Sequence, residues 1–442
     1  MINTKSTNLK PSSTTVKTSR GPITDVWKYE KNQETGIPVN EAFSHVIKEL
    51  INIVSQEQNF ITLFFHMTSM KRQNYDELIS CNTTQVDIVQ ELKTKNAVES
   101  NRSLARSVLN IMSKIMNSLE ENTLSFAEFC CRNDPMSIIE NIEFLKMYLL
   151  EWRETDQEYL IRILNKLYSK YIEYFDIFID IQIQAIEGVK LVNKRKQGVL
   201  SFFKIFPSFV EKFNKQIVNF SDSTGTKELL YKAFEKIENT MFKTFKLLIR
   251  DACNLNSISK TDFEDKDLLN YYIIIIENMF QYVEELKKKN ISILKIFEDK
   301  AIREYKEHLK LYIENIIKRP LGRIVEFSEN MDTLLKTKTI EEIKNIIEFS
   351  PTSVKRIAAS HDIKEILKGI EILYKRIEKH FKNEENYYHG QVVAIVWNKI
   401  NDEYKFNIES FHQLVANYYK VDGIHIDWSY DDIKFSFFRK GM

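Results

Sequence analysis

Apolar residues recur every three or four positions along most of the chain, beginning near Asn40. That spacing places them on one face of an α-helix, so it predicts a succession of amphipathic helices. The pattern is clearest in the segments Lys227–Asn254, Asp265–Lys318 and Val393–Tyr418. Short polar clusters separate these segments and predict the turns between them.

The segment Asp265–Lys318 predicts the longest helix of the chain. Its apolar stripe continues beyond the KKKN tetrapeptide at Lys287–Asn290, and Pro320 follows its end. Proline disfavours helical geometry in the residue before it, so we expect the helix to stop there. Unbroken, this helix would be about 80 Å long at about 1.5 Å per residue, with a bend near Asn290 as the alternative. Either form favours a rod-shaped molecule.

Glycine and proline are both scarce, with 10 and 7 residues among 442. Sheet proteins need frequent turn residues and phosphate-binding loops need glycine, so this composition disfavours both. We therefore predict an all-α fold. We divide it into a flexible basic tail at residues 1–38, N-terminal helical bundles at residues 39–220 and C-terminal helical bundles at residues 221–442.

No sequence motif of a known catalytic site is present, so we predict neither an enzyme nor a cofactor. The adjacent cysteines Cys130–Cys131 do not have the spacing of a zinc site. His380 and His389 flank the glutamates at 384–385, but nothing in the pattern makes the four side chains converge. We expect these histidines to face solvent and predict no metal site.

Charge and hydropathy limit which partners and which cellular compartment the sequence suits. The 63 basic and 62 acidic residues leave a formal charge of +1, which predicts no nucleic-acid binding. The first residues lack the apolar core of a secretory signal. The most apolar run, Leu268–Ile276, is far shorter than the roughly 20 residues that a membrane helix needs. We predict a cytosolic protein without a transmembrane segment.

The stretch from Lys190 to Lys215 contains the strongest mixture of basic and aromatic residues in the chain, and we call it the cationic edge. Basic residues and phenylalanines together suit an anionic membrane surface. The alternative is a helical corner whose phenylalanines are core and whose lysines are solvated. The candidate contact residues are Lys190, Lys194, Arg195, Lys196, Phe202, Phe203, Lys204, Lys212 and Lys215.

A second basic and aromatic stretch, GIEILYKRIEKHFKNEE, occupies Gly369–Glu385. Together with Ile366 just before it, four of its apolar residues form one helical stripe, which predicts that they are buried: Ile370, Leu373, Ile377 and Phe381. Glu371 and Lys375 are four positions apart, as are Glu378 and Lys382, so we predict two ion pairs along the helix. These features favour a self-paired surface over a phosphate-binding one.

Several segments resemble one protein family. They are LLNYYIIIIENMFQYVEEL (Leu268–Leu286), IIKRPLGRIVEFSENMDTLL (Ile316–Leu335), SVKRIAASHDIKEILKGIEILYKRIEKHF (Ser353–Phe381) and VVAIVWNKINDEYKFNIESFHQLV (Val392–Val415). In this order they are similar to the C-terminal part of the exocyst complex component 1 family. The similarity runs from about Asp265 to the end, with an island at Arg195–Phe213.

For the residues of the resembling motifs we expect structural roles. Arg319-Pro320-Leu321-Gly322 is interpreted as a helix stop followed by a new helix start, at a corner between bundles. The motif residues are Arg319, Pro320, Leu321, Gly322, Gly369, Leu373, Tyr374, Lys375, Arg376, Glu378, Lys379, His380, Phe381 and Trp397.

The resemblance implies a non-enzymatic exocyst subunit that tethers secretory vesicles to the plasma membrane before SNARE-mediated fusion. It implies an elongated rod of stacked antiparallel helical bundles, cytoplasmic and peripherally associated with the plasma membrane or secretory vesicles. The implied partners are other exocyst subunits, anionic plasma-membrane phospholipids and Rho- or Rab-type small GTPases. Typical members also have an N-terminal pleckstrin-homology-like domain, and with only about forty polar residues before the first helix we expect that module to be missing.

Two other functions stay open at this point. One is another helical-rod subunit of a tethering complex, because the NYYIIIIENM pattern is shared more loosely among such subunits. The other is a peripheral membrane-binding helical module that acts through the cationic edge or the basic tail.

Overall fold

The structure is a computed structural model, and it describes residues 38–65, 67, 104–189, 198–252, 265–382 and 388–441. The predicted basic tail at 1–38 lies outside the described residues except for Pro38. The described residues are helical with short turns and contain no strand, which confirms the predicted all-α fold.

We number the α-helices in chain order. The first seven are α1 (Val39–Phe64), α2 (residues 104–115), α3 (Leu119–Asn133), α4 (Ile138–Trp152), α5 (Glu158–Glu187), α6 (Ser201–Ile217) and α7 (Thr226–Ala252). The next seven are α8 (Asp265–Lys289), α9 (Leu294–Leu334), α10 (Ile340–Lys344), α11 (Pro351–Ser360), α12 (Ile363–Phe381), α13 (His389–Tyr418) and α14 (Tyr430–Gly441). The helices predicted at Lys227–Asn254 and Val393–Tyr418 correspond to α7 and α13.

The segment predicted as one long helix is a hairpin of two helices, α8 and α9. Asn290 lies between them with a φ of 47°, a left-handed conformation that asparagine tolerates better than most residues. The ring centroids of Phe280 and Tyr305 are 5.7 Å apart, and those of Tyr272 and His308 are 6.0 Å apart. Residues at similar distances from the turn therefore meet, as antiparallel helices require. The expectation of one unbroken helix about 80 Å long is wrong, and the break lies near Asn290, where the alternative placed a bend.

Pro320 lies inside α9, which continues to Leu334. The predicted helix stop and bundle corner at Arg319–Gly322 are therefore wrong. Proline has no backbone N–H, so it cannot donate a hydrogen bond to the carbonyl four residues earlier. This loss weakens a helix without always ending it. Here Ile317, Leu321 and Ile324 are all buried in the same core, and this packing holds the helix on both sides of the proline.

Buried side chains form two hydrophobic cores. The first core is built from α1–α7 together with the facing residues of α8 and α9 that lie close to Asn290. The second core is built from the rest of α8 and α9 with α10–α14. The α8–α9 hairpin contributes to both, so it joins them. The division of the chain at residue 220 stays a prediction.

Gly369 of α12 is the point of close approach to α9. A Cβ atom added there would lie 3.8 Å from the Cβ of Pro320 and 4.0 Å from the hydroxyl oxygen of Tyr404. Those distances are ordinary van der Waals contacts, so a methyl group fits and a longer side chain does not. Two of the resembling motifs, around Pro320 and Gly369, thus pack against each other.

We predict opposite effects for two substitutions of Gly369. Gly369→Ala should leave the protein as stable or stabilise it by up to about 1 kcal/mol, since alanine favours helix over glycine. Gly369→Leu should destabilise it by roughly 1–3 kcal/mol, because the side chain overpacks the contact with Pro320. Urea unfolding followed by circular dichroism measures both. Equal stability of the two variants would contradict the close approach.

Candidate functional site

The cationic edge is only partly described. Lys190, Lys194, Arg195 and Lys196 lie outside the described residues. Phe202 and Phe203 are fully buried in the first core. Phe203 packs against Phe242, Phe245 and Tyr282, with ring centroids 5.0–5.7 Å apart. The phenylalanines that made the edge resemble a membrane-binding surface are therefore core residues and are not available to a bilayer.

Three lysines of the cationic edge lie on α6. Lys212 and Lys215 are exposed and Lys204 is half-buried. Lys215 lies 3.7 Å from Glu211, whose other oxygen accepts a hydrogen bond of 2.6 Å from Lys289 of α8. The hydrogen bond from Lys289 lowers the pKa of Glu211, so this carboxylate is charged and shared between two lysines. The described part of the edge is a small, partly neutralised lysine cluster.

The motif residues of the C-terminal half come together around α12. Among them, the buried ones are Leu321, Leu373, Phe381 and Trp397, and the half-buried ones are Pro320, Gly322, Gly369, Tyr374, Arg376 and His380. The exposed ones are Arg319, Lys375, Glu378 and Lys379. Tyr374 packs against Trp397 at 5.0 Å, and the Trp397 indole donates a hydrogen bond of 2.9 Å to the Phe437 carbonyl. These contacts join α12, α13 and α14.

His380 faces the second core. A hydrogen bond of 2.9 Å joins its Nδ1 to the Tyr312 hydroxyl, and the Tyr312 ring also packs against Phe381 at 5.4 Å. Burial lowers the pKa of His380 to about 4, with a further contribution from the positive charge of Arg376 and Lys379. The expectation that this histidine faces solvent is wrong, because α12 turns it toward α9.

The outer face of α12 differs from its predicted ion-pair pattern. Lys375 lies 3.0 Å from Glu371, which confirms the first predicted pair. The second pair is wrong: Glu378 forms a side-chain hydrogen bond with Tyr374 instead, and Lys382 has no ion pair among the described residues. A tyrosine one turn earlier on the helix competes for this carboxylate. The surface is less neutralised than its sequence suggests.

Helix α1 has an exposed apolar stripe beside its core face, which we call the α1 stripe. Val46, Ile53 and Phe60 are spaced by seven residues and are 41%, 56% and 57% exposed. Phe64, one turn beyond, stacks on Phe60 with ring centroids 5.5 Å apart. A seven-residue apolar spacing is typical of a helix that packs along another helix. Sequence reasoning missed this stripe, although the heptad spacing is visible in the sequence.

The described side chains contain no group of three or more histidine, cysteine, aspartate or glutamate residues placed to hold a metal ion. Burial raises the pKa of Cys130 to about 11 and that of Cys131 to about 12, which keeps both thiols protonated and unreactive at neutral pH. Within the described part of the chain, no helix has the length and apolarity needed to cross a membrane.

We predict that His380 makes stability depend on pH. Its folded pKa of about 4 lies below the ordinary value near 6.5, so stability is full above the ordinary value and falls as the pH drops toward 4. At about 1.4 kcal/mol per pKa unit, protonation costs on the order of 3 kcal/mol. Urea midpoints at pH 7 and pH 4.5 should differ less in His380→Gln than in the wild type.

The matched control is His425→Gln, at an exposed position of the loop before α14. It should keep the pH dependence of the wild type. Burial also lowers the pKa of His412, so part of the pH dependence should persist in His380→Gln. An unchanged difference between the two midpoints in His380→Gln would contradict the assignment to His380.

Comparison with known proteins shows which family the chain belongs to. Residues 64–421 match the sequence model of "Exocyst complex component Sec3, C-terminal". The chain is similar to exocyst complex component 1 of Mus musculus, with 22% identity over 89% of this chain and 42% of that protein. It is also similar to exocyst complex component 1 of Drosophila melanogaster, with 24% identity over 88% of this chain and 42% of that protein.

A plant protein is among the relatives as well. Exocyst complex component SEC3A of Arabidopsis thaliana is 22% identical over 70% of this chain and 32% of that protein. No solved structure matches the chain. The chain spans about two-fifths of the length of its first two relatives. Because the family model covers most of the chain, including all of α3–α13, the chain belongs to the exocyst complex component Sec3 C-terminal family.

Proposed function

We propose that the chain acts as a non-enzymatic subunit of the exocyst, which tethers secretory vesicles to the plasma membrane before SNARE-mediated fusion. The match of residues 64–421 to the Sec3 C-terminal family carries this proposal. The all-α fold supports it, because stacked helices offer long surfaces for other subunits. Another tethering-complex subunit is less well supported, since the similar proteins are exocyst components from an insect, a mammal and a plant.

The proposal also covers the partners of the chain and its location in the cell. Other exocyst subunits are the main partners, with anionic plasma-membrane phospholipids and Rho- or Rab-type small GTPases as further ones. The protein is then cytoplasmic and peripherally associated with the plasma membrane or secretory vesicles. The described residues offer two surfaces for such contacts, the α1 stripe and the outer face of α12.

The α1 stripe is proposed as a contact with a helix of another exocyst subunit. The apolar side chains at seven-residue spacing form one narrow row, which can pack along a partner helix. The inner face of α1 is fixed in the first core by Phe43, Ile47 and Val54, all fully buried. The stripe is therefore presented on a rigid element, and a partner helix needs no rearrangement of the core.

We predict that affinity purification of the tagged chain from cells recovers other exocyst subunits, identified by mass spectrometry. The double variant Ile53→Asp and Phe60→Asp should reduce that recovery at least tenfold, because two charges in the stripe exclude an apolar partner face. Phe406→Asp is the matched control. Phe406 is an exposed phenylalanine of α13, in the other half of the molecule, and its variant should recover the subunits normally.

The outcomes separate two claims. Recovery of the wild-type chain without any exocyst subunit would overturn the proposed function. Equal recovery by wild type and the α1 double variant would overturn only the assignment of the α1 stripe. Matching thermal unfolding curves of the three proteins, measured by circular dichroism, would show that loss of recovery is not loss of folding.

A further inference from the structure

The outer face of α12 has a row of lysines along its whole length. Lys364, Lys368, Lys375 and Lys379 of α12, and Lys382 directly after its last residue, are all exposed. Their spacings of four, seven, four and three residues keep them on one side of the helix. From the first to the last, the row is about 27 Å long at about 1.5 Å per residue. We call it the α12 lysine row.

The acidic residues of α12 neutralise only part of this row. Glu371 lies 3.0 Å from Lys375, and Glu365 lies 3.7 Å from Lys368. The remaining acid, Glu378, is hydrogen-bonded to Tyr374. Between residues 363 and 382, six basic and three acidic side chains leave an excess of three positive charges. Among the described residues, no carboxylate forms an ion pair with the other three lysines of the row, Lys364, Lys379 and Lys382.

An apolar side chain lies in the middle of the row. Ile372 is 58% exposed and occupies the gap between Lys368 and Lys375. Basic side chains near an anionic membrane surface are attracted to it, by about 1 kcal/mol for each lysine or arginine. An exposed aliphatic side chain among them adds a small apolar contribution to the same contact.

The row is held rigidly by the other side of α12. Ile366, Ile370, Leu373, Ile377 and Phe381 are buried in the second core, as their spacing predicts. The Asp362 carboxylate accepts a hydrogen bond of 2.8 Å from the Glu365 amide and caps the start of the helix. The row therefore exists before any ligand binds, and contact with a surface needs no folding step.

We propose that the α12 lysine row binds the headgroups of anionic phospholipids in a membrane surface. A nearly straight row of five compact charges suits a flat array of phosphates better than a folded partner. Lysine ammonium groups act as point charges for phosphate and do not fix the orientation of a single ligand. The proposal names the site at which the lipid contact of the proposed function is made. It rests on the proposed function only for the place in the cell where the chain meets a membrane.

The row also replaces the cationic edge as the site of membrane contact. In the cationic edge Phe202 and Phe203 are buried, and Lys215 shares Glu211 with Lys289. In the α12 lysine row the apolar residue is exposed and three lysines lack an ion pair among the described residues. The two surfaces are therefore distinguishable by matched triple substitutions.

Flotation of the purified full chain with vesicles tests the proposal. One set of vesicles contains phosphatidylcholine with phosphatidylserine and a phosphoinositide, and the other contains phosphatidylcholine alone. Wild type should bind only the anionic vesicles, and added salt should weaken the binding. The triple variant Lys364→Glu, Lys379→Glu, Lys382→Glu should bind at least tenfold more weakly.

The matched control has the same charge change in the cationic edge: Lys204→Glu, Lys212→Glu, Lys215→Glu. It should bind the anionic vesicles as wild type does. Ile372→Ser should weaken binding at high salt more than at low salt, since it removes only the apolar contribution. Circular dichroism melting curves of all variants establish that they are folded.

Three results would overturn the proposal. They are no binding of wild type to anionic vesicles, unchanged binding by the α12 triple variant, and equal loss in both triple variants, which would indicate net charge alone. Recovery of exocyst subunits with the α12 variant reports separately on the proposed function. Normal recovery together with lost vesicle binding is the expected pair.

Discussion

Helices α8 and α9 fold back on each other at Asn290, and the rest of the molecule depends on this antiparallel contact. Ile275 and Met279 of α8 belong to the first core, whereas Ile276 and Phe280 on its other side belong to the second core. A helix that is apolar on both sides must be covered on both sides. The hairpin therefore fixes the place of α6 and α7 on one side and of α12 and α13 on the other.

Much of the fold follows from the local pattern of apolar residues. The predictions of the fold that are wrong have a common physical cause. The helices α7 and α13 lie where the three-and-four spacing of apolar residues predicts them. By contrast, the reversal at Asn290 and the continuity of α9 through Pro320 depend on packing between distant segments. A tertiary contact overrides the local preference of one residue in both cases.

The candidate surfaces were harder to predict than the helices. Phe202 and Phe203 have the sequence context of a membrane edge, yet their burial depends on α7 and α8, which follow much later in the chain. The competition of Tyr374 for Glu378 depends on side-chain geometry that charge spacing alone does not describe. The orientation of His380 toward Tyr312 likewise needs the position of α9. The stripe on α1 could have been found, because it needs only the heptad spacing within one helix.

Most residues of the resembling motifs are buried or half-buried. Pro320, Gly369 and Trp397 hold α9, α12 and α13 together. These residues therefore act on the packing of the second core. The α1 stripe lies on a helix of the first core and the α12 lysine row on a helix of the second core. The hairpin joins the two cores and therefore sets the position of one surface relative to the other.

The distance between the start of α8 and the middle of α9 tests most directly whether these helices form the hairpin that joins the two cores. Spin labels attached through non-natural amino acids at Lys266 and Lys310, both exposed, allow it to be measured by pulsed electron paramagnetic resonance. Packed helices are about 8–10 Å apart, so the hairpin predicts a narrow distribution below about 25 Å. A distance near 65 Å, which a continuous helix would give at about 1.5 Å per residue, would contradict the account.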